Sequence, residues 1–402
     1  MTAPLADLHV AVHASGVAAA YAARMLRGMG AQVVWVEPAG GTQLRREPPF
    51  LPGEAEAEKP LPFRGGVGVG SVGLGDVSSG GHTPPLSASL KGRGVSALFA
   101  YLAAGTTSQT CDLPSEAGRA AFNALLSQCD ILFDDTPLAD RMALGLDEAS
   151  LAARHPGLIH VSVLPFGAIG EKAHWKGEEI QLQHASGEGY LLPNGLSVEQ
   201  FPDRPPVKIH GHFAEMQGGL AAALGALAAL RVRSEIGGQY VDISCQDAML
   251  SVGAFAIQRF GDGSVEHRVE RSFRYGGVLP CADGFVELLT LEQRQWDGLV
   301  ELLGRPAWAL DPALADSLER SRRGPELNRH IRAWAATRKV EDIVREGQKL
   351  SVPLAKYNTP AEVLRDPHER VRGLFQPVNV PGASVLDMLI SPIQFDGKAS
   401  TL

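Results

Sequence analysis

Apolar positions along the chain fall into short continuous runs, separated by longer stretches where they recur at helical spacing. Residues 8–12 form a β-type run that continues into Ala14-Ser15-Gly16, and an alanine-rich helical stretch over 18–29 is closed by Gly30. Residues 32–37 (QVVWVE) read as a second strand ending in an acidic residue, so the opening of the chain outlines a βαβ unit. From Leu98 the rhythm returns. Residues 110–113 read as a strand, 116–128 as an amphipathic helix, 130–133 (DILF) as a strand, 146–154 as a short helix and 158–164 (LIHVSVL) as a buried strand. Alternation at this spacing predicts an α/β fold with a mostly parallel sheet and helices on both faces.

Gly and Pro punctuate residues 165–206. The segment 210–230 (HGHFAEMQGGLAAALGALAAL) then begins as a loop and becomes a helix of small residues, which predicts a tight packing contact within the chain or in a dimer. Residues 239–244 read as a strand and 246–254 as a helical run. Past Tyr275 the pattern changes: two β runs flank Asp283-Gly284, a hairpin-type turn, and helices are predicted over 291–303, 327–337 and 340–350. The domain reading is a large α/β domain over 1–244, a smaller α+β domain over 245–350, and a segment 351–402 that returns to the large domain. Residues 64–94 interrupt the first domain with ten glycines among 31 positions, and read as an insertion. Gly68, Gly70 and Gly73 within it fit G-x-G-x-x-G, but no strand precedes the motif and glycines break any helix after it.

Composition narrows the function classes. At about 150 residues per domain, 402 residues predict two to three domains. The balance of 37 basic and 45 acidic residues, a net charge of −8, argues against a general nucleic-acid or anionic-membrane surface and leaves room for a local basic patch. Cys111, Cys129, Cys245 and Cys281 are far apart and form no C-x-x-C pair, so neither a disulfide framework nor a zinc site is signalled; this fits a reducing cytoplasm. No basic segment followed by an apolar one marks the N-terminus, and the longest apolar run, residues 218–230, is too short to span a bilayer. The expectation is a soluble, cytoplasmic protein with no bound metal.

Six stretches, 21–37, 129–145, 158–170, 219–248, 283–306 and 358–375, in this order and spacing, resemble the class III (CaiB/BaiF-type) CoA-transferases. The resemblance implies a Rossmann-like large domain, a small domain and an interlocked homodimer. It implies transfer of CoA from an acyl-CoA to a carboxylic acid, with coenzyme A as cosubstrate and no permanent cofactor. The family's nucleophile is an aspartate four residues before the glycine that opens the small-residue helix. Here that glycine is Gly219, and Glu215 stands at the position. A glutamate keeps the carboxylate chemistry for a covalent acyl or thioester intermediate and lengthens the reach by one methylene.

The resemblance assigns further roles. His212, with His210 just upstream, polarises the thioester carbonyl or holds Glu215; Gln217, Gly218 and Gly219 offer backbone N–H groups to a developing oxyanion. Phe166 and Gly167 line the acyl pocket. Val17, Ala18, Arg45, Arg46 and Arg141 bind CoA, and a loop over 271–277 lies over the active site. Two departures from the family pattern support an alternative, a diverged subunit that partners an active paralogue. Ala18-Ala19-Ala20 replaces Ala-Gly-Pro, and Gly105-Thr106-Thr107-Ser108 stands where a Lys-Arg pair is usual. A second alternative, a 2-methylacyl-CoA racemase, would place Glu178 as the base.

Overall fold

In the computed structural model the described residues are 3–51, 94–192, 203, 205, 207–253, 275–380, 382, 383 and 385–400. The glycine-rich stretch 64–94 lies outside them except for Gly94, as do residues 271–274 of the predicted loop.

The first unit comprises residues 1–189, 208–261 and 367–402. Its centre is a six-stranded, wholly parallel sheet in the order β3-β2-β1-β4-β5-β6, built from β1 (His9–His13), β2 (Gln32–Glu37), β3 (Thr107–Thr110), β4 (Ile131–Asp134), β5 (Ile159–Leu164) and β6 (Tyr240–Ser244). Side chains alternate across the pleat. Val10, Val33, Ile131 and Ile159 are register partners and fill one face, beneath α1 (Val17–Gly28) and a long helix near the middle of the chain. Ala11 and Leu132 face the other way and pack with residues of α3 (Glu116–Leu126) and α5 (Glu148–Arg154). Between them in the chain, α2 (Ala97–Leu102) precedes β3, and α4 (Leu138–Leu144) follows β4.

The long helix is α8 (Phe213–Ile236), preceded by α6 (Glu179–Ala185) and α7 (Glu188–Leu191) and followed, after β6, by α9 (Cys245–Val252). Among the described residues it is the one helix long and apolar enough to cross a membrane, yet its small-residue face is packed on α1 and β5. Ala214, Gly218, Gly219, Ala222, Ala223, Ala226 and Ala229 are buried, whereas Leu224 is 70% exposed. The closeness explains the composition. A Cβ on Gly219 would stand 2.6 Å from the Ala18 carbonyl oxygen, and one on Gly218 would stand 2.4 Å from Cys245 Sγ. The small-residue stripe therefore serves an internal contact.

Among the strands the boundaries shift most at β3, which occupies 107–110 rather than 110–113. The strand is polar (TSQT), and apolar Cys111 and Leu113 follow it into the core beside α3. The Gly- and Pro-punctuated stretch, for which the pattern predicts no element, contains α6. Its start is marked by a capping box of Glu178 and Gln181, a sequence signal that could have located it.

From Pro367 the chain belongs to the first unit, where β10 (Phe375–Asn379) and β11 (Val385–Leu389) pair antiparallel. Arg24 of α1 donates to the Leu389 carbonyl at 3.0 Å. The second unit, residues 190–207 and 262–366, holds the antiparallel strands β7 (Gly277–Cys281), β8 (Gly284–Leu288) and β9 (Leu354–Lys356) with helices around a core that includes Trp296, Leu299, Leu327 and Ile331. Gly276 and Gly277 of the predicted loop are buried in this unit, and the Gly276 N–H donates to Asn328 Oδ1 at 2.8 Å.

Candidate active site

Strand order reverses between β1, which leads outward to β2, and β4, which leads to β5. In open parallel sheets the crevice at the carboxyl end of such a switch point is where ligands bind. Here a cleft of about 460 Å³ opens there. It is walled by Ser15, Gly16, Val17 and Ala18 after β1, Asp135 after β4, Pro165 after β5, Glu178 and Glu179 at the start of α6, His212 and Glu215 at the start of α8, and Cys245.

Glu215 is the third residue of α8, and His212 is its N-cap. The His212 Nδ1 and Glu215 Oε2 atoms lie 2.6 Å apart. That hydrogen bond raises the imidazole above its ordinary value, against the partial burial of the ring. Gly211, at φ +84°, turns the chain into the helix, a conformation that side-chain-bearing residues rarely adopt. The helix start is held from α6. Glu179 accepts the N–H groups of Ala214 and Glu215, both at 3.0 Å, and Gln183 donates its amide to the same carboxylate.

Gln217, Gly218 and Gly219 do not present oxyanion donors. They sit in the second turn of α8, where N–H groups bond within the helix, and the two glycines serve close packing instead. Val17 and Ala18 wall the cleft at the N-terminal turn of α1. Gly167, at φ +76°, turns the chain after β5, and the next N–H, of Ala168, donates to Asp242. Phe166 packs its ring on cleft-lining Gly177: a Cβ there would meet Phe166 Cε2 at 2.9 Å.

The arginines part company. Arg45 is buried and forms a bidentate pair with Glu37, Nε to Oε2 at 2.6 Å and a terminal nitrogen to Oε1 at 2.7 Å, with its guanidinium over the Phe99 ring. Burial by itself would raise Glu37; the bonds from Arg45 and Ser108 outweigh it and lower the carboxyl below its usual value. The acidic residue ending β2 is thus neutralised internally. Arg46 is exposed in the same turn as cleft-lining Gln43. Arg141 is only 3% exposed and does not line the cleft: its donors reach the Thr136 carbonyl, Tyr240 and Ser162, and it lies 3.4 Å from Asp134. Buried guanidinium donors spent in this way position the end of β4.

Sequence reasoning missed the consecutive aspartates at that end. Asp134 is fully buried, and hydrogen bonds from His13 and His160 overcome the effect of burial and hold its carboxyl well below the carboxylate range. Asp135 holds the turn that leads into α1, accepting from the Ser15 N–H at 2.9 Å and the Gly16 N–H at 2.6 Å. Burial still pushes it up to about 6, with the Asp134 charge adding to the rise. An Asp-Asp pair closing a buried strand was the available signal. Cys245, in the same cleft, is a thiol that burial pushes far up, so it is a poor nucleophile. No cluster of side chains suited to a metal ion occurs among the described residues.

Comparison with known proteins places these features in context. A family model described as CoA-transferase family III matches residues 74–402. A succinyl-CoA:mesaconate CoA-transferase of Haloarcula hispanica is 28% identical over 391 residues, covering 94% of this chain and 86% of its own length. A succinate–glutarate CoA-transferase of Agrobacterium fabrum is 25% identical over 397 residues, covering 97% and 89%. A crystal structure of a CaiB/BaiF family protein from Brucella suis superposes with a TM-score of 0.78 at 26% identity, covering 100% of this chain and 95% of that one.

Proposed function

The chain belongs to CoA-transferase family III, and from that premise we propose that it moves CoA from an acyl-CoA thioester to a free carboxylic acid through a covalent intermediate on Glu215. The observation that carries this reading is the placement of the Glu215 carboxyl. It stands in the cleft at the sheet's switch point, with Oε2 held by His212 and Oε1 accepting no hydrogen bond among the described residues. A carboxylate oxygen left unbound at a cleft wall is a nucleophile already in place.

The steps balance without a redox partner. Glu215 attacks the acyl-CoA carbonyl, expelling CoA thiolate and forming a mixed anhydride. The thiolate attacks the glutamyl carbonyl of that anhydride, releasing the donor acid as its carboxylate and leaving CoA as a thioester on Glu215. The acceptor carboxylate then attacks the glutamyl thioester, expelling CoA thiolate and forming a second mixed anhydride; the thiolate attacks the acceptor's carbonyl in that anhydride, forming the new acyl-CoA and releasing the Glu215 carboxylate. His212, raised by its bond to Glu215, supplies a proton-bearing nitrogen beside each tetrahedral intermediate. Arg46 is the sequence-predicted cation left exposed to meet the CoA phosphates. Succinyl-CoA is the donor to test first, because both curated relatives carry succinate in their names.

Succinyl-CoA is incubated with the protein, without acceptor and then with mesaconate or glutarate. Exchange is followed by chromatography of the thioesters, and hydroxylamine traps the enzyme ester. A hydroxamate on the Glu215 peptide is expected, with exchange reduced about 10³-fold or more in Glu215→Gln. Exchange that survives in Glu215→Gln, or that proceeds with an unmodified Glu215, overturns the proposal.

A further inference from the structure

A glutamate at the third position of a helix ordinarily folds back to accept the N-cap N–H, and the first-turn donors draw any nearby carboxylate toward them. Glu215 occupies that position and does neither. The donors of Ala214 and Glu215 are taken by a carboxylate from another helix, Glu179 of α6, at 3.0 Å each. Glu179 is only 7% exposed, and Gln183, fully buried one turn later on α6, donates to it. The same Gln183 accepts the Ile209 N–H at 2.7 Å and donates to the Ile209 carbonyl at 3.4 Å. The Gly211 turn is therefore gripped on both sides, at Ile209 and at Ala214–Glu215, by two side chains one helical turn apart. Lys208 adds bonds to the carbonyls of Ile209 and Gly211 from within the loop.

We propose that Glu179 and Gln183 are positioning residues for Glu215: Glu179 fills the anion seat at the α8 N-terminus, so the Glu215 carboxyl is left to His212 and the cleft. This rests on the reading of Glu215 as the nucleophile. Two consequences follow from the geometry. A carboxylate engaged by first-turn N–H groups would lose lone pairs to them and become a weaker nucleophile, and Glu179 prevents that competition. Glu179 also places a fixed carboxylate near His212, and it contributes to raising that imidazole together with Glu215, while Lys208 acts in the opposite sense. The other titratable groups walling the same space are Asp135, Glu178, Glu47 and Cys245.

The test uses the full-length protein with Glu179→Gln and Glu179→Asp. The His212 ring is followed by NMR titration of histidine-labelled protein, its signal assigned with His212→Asn. The rate of Glu215 acylation by succinyl-CoA is measured under single-turnover conditions, with succinyl-CoA affinity measured separately. In Glu179→Gln the His212 midpoint falls, and acylation slows by about 10-fold to 10²-fold while affinity holds. In Glu179→Asp the charge remains and the reach to both N–H groups is lost, so the His212 midpoint stays closer to wild type while acylation still slows. An unchanged His212 midpoint in Glu179→Gln together with unchanged acylation in both variants overturns the positioning role. Should Glu179→Gln fail to fold, acylation in Glu179→Asp decides. A wild-type protein that never labels at Glu215 refutes the nucleophile reading instead, and the His212 titration then decides on the seat at α8.

Discussion

Replacing Gly219 by alanine isolates how closely the two alanine-rich helices must approach. The new Cβ would lie 2.6 Å from the Ala18 carbonyl oxygen and 3.1 Å from the Tyr21 Cβ. Both neighbours are fixed, one being backbone in the first turn of α1. Relief to an ordinary contact near 3.4 Å requires α1 and α8 to separate locally by about 0.8 Å. Overpacking of this kind costs about 1–3 kcal/mol, and the gain in helix propensity from Gly to Ala returns about 1 kcal/mol. The net loss is then up to about 2 kcal/mol. Gly225→Ala in the same helix is the control. There the Cβ meets Val241 Cγ1 at 3.1 Å and Ile243 Cδ1 at 3.5 Å, side-chain ends that can move, so the propensity gain is largely kept. Thermal midpoints are compared at one protein concentration and scan rate. Gly219→Ala should melt below wild type and Gly225→Ala at or above it. Because Gly219 lies one turn beyond Glu215, the same shift should lower CoA exchange by about 10²-fold. A Gly219→Ala protein as stable as Gly225→Ala would refute the packing argument.

Two further outcomes follow from buried charge. Arg45→Ala strands Glu37, which is fully buried, and should cost about 3–5 kcal/mol; denaturant unfolding checks this, and Arg45→Ala with Glu37→Gln should recover part of the loss. Asp135, pushed up to about 6 by burial and so well above the ordinary carboxylate value, binds its proton more tightly folded than unfolded. Stability from this group is therefore greatest below the unfolded value and falls as pH rises toward and through about 6. Unfolding midpoints of Asp135→Asn should lack that part of the decline between pH 4 and 7, and a wild-type profile identical to the variant's would refute the shift.

The residue pattern alone located all six strands of the parallel sheet to within about three residues: five are apolar or β-branched runs bounded by glycine, proline or a helix of distinct period, and the polar β3 is marked only by the apolar residues that follow it. It also marked the small-residue helix and, through the family resemblance, Glu215 four residues before Gly219. What the sequence could not carry was partnership. Arg45, Arg46 and Arg141 look alike in sequence, but one pairs with Glu37, one is exposed and one is spent under β4. Gly218 and Gly219 stand close to Glu215 in sequence, as oxyanion donors would, and only their place in the second turn of α8 shows their N–H groups to be committed. Glu179 lies 36 residues before Glu215, a separation over which no periodicity is legible, yet its carboxylate meets the Glu215 N–H. Local sequence fixes which elements form because period and propensity act between near neighbours; which charges meet is settled by sheet order and helix packing, where distant residues first share a solvent-poor space.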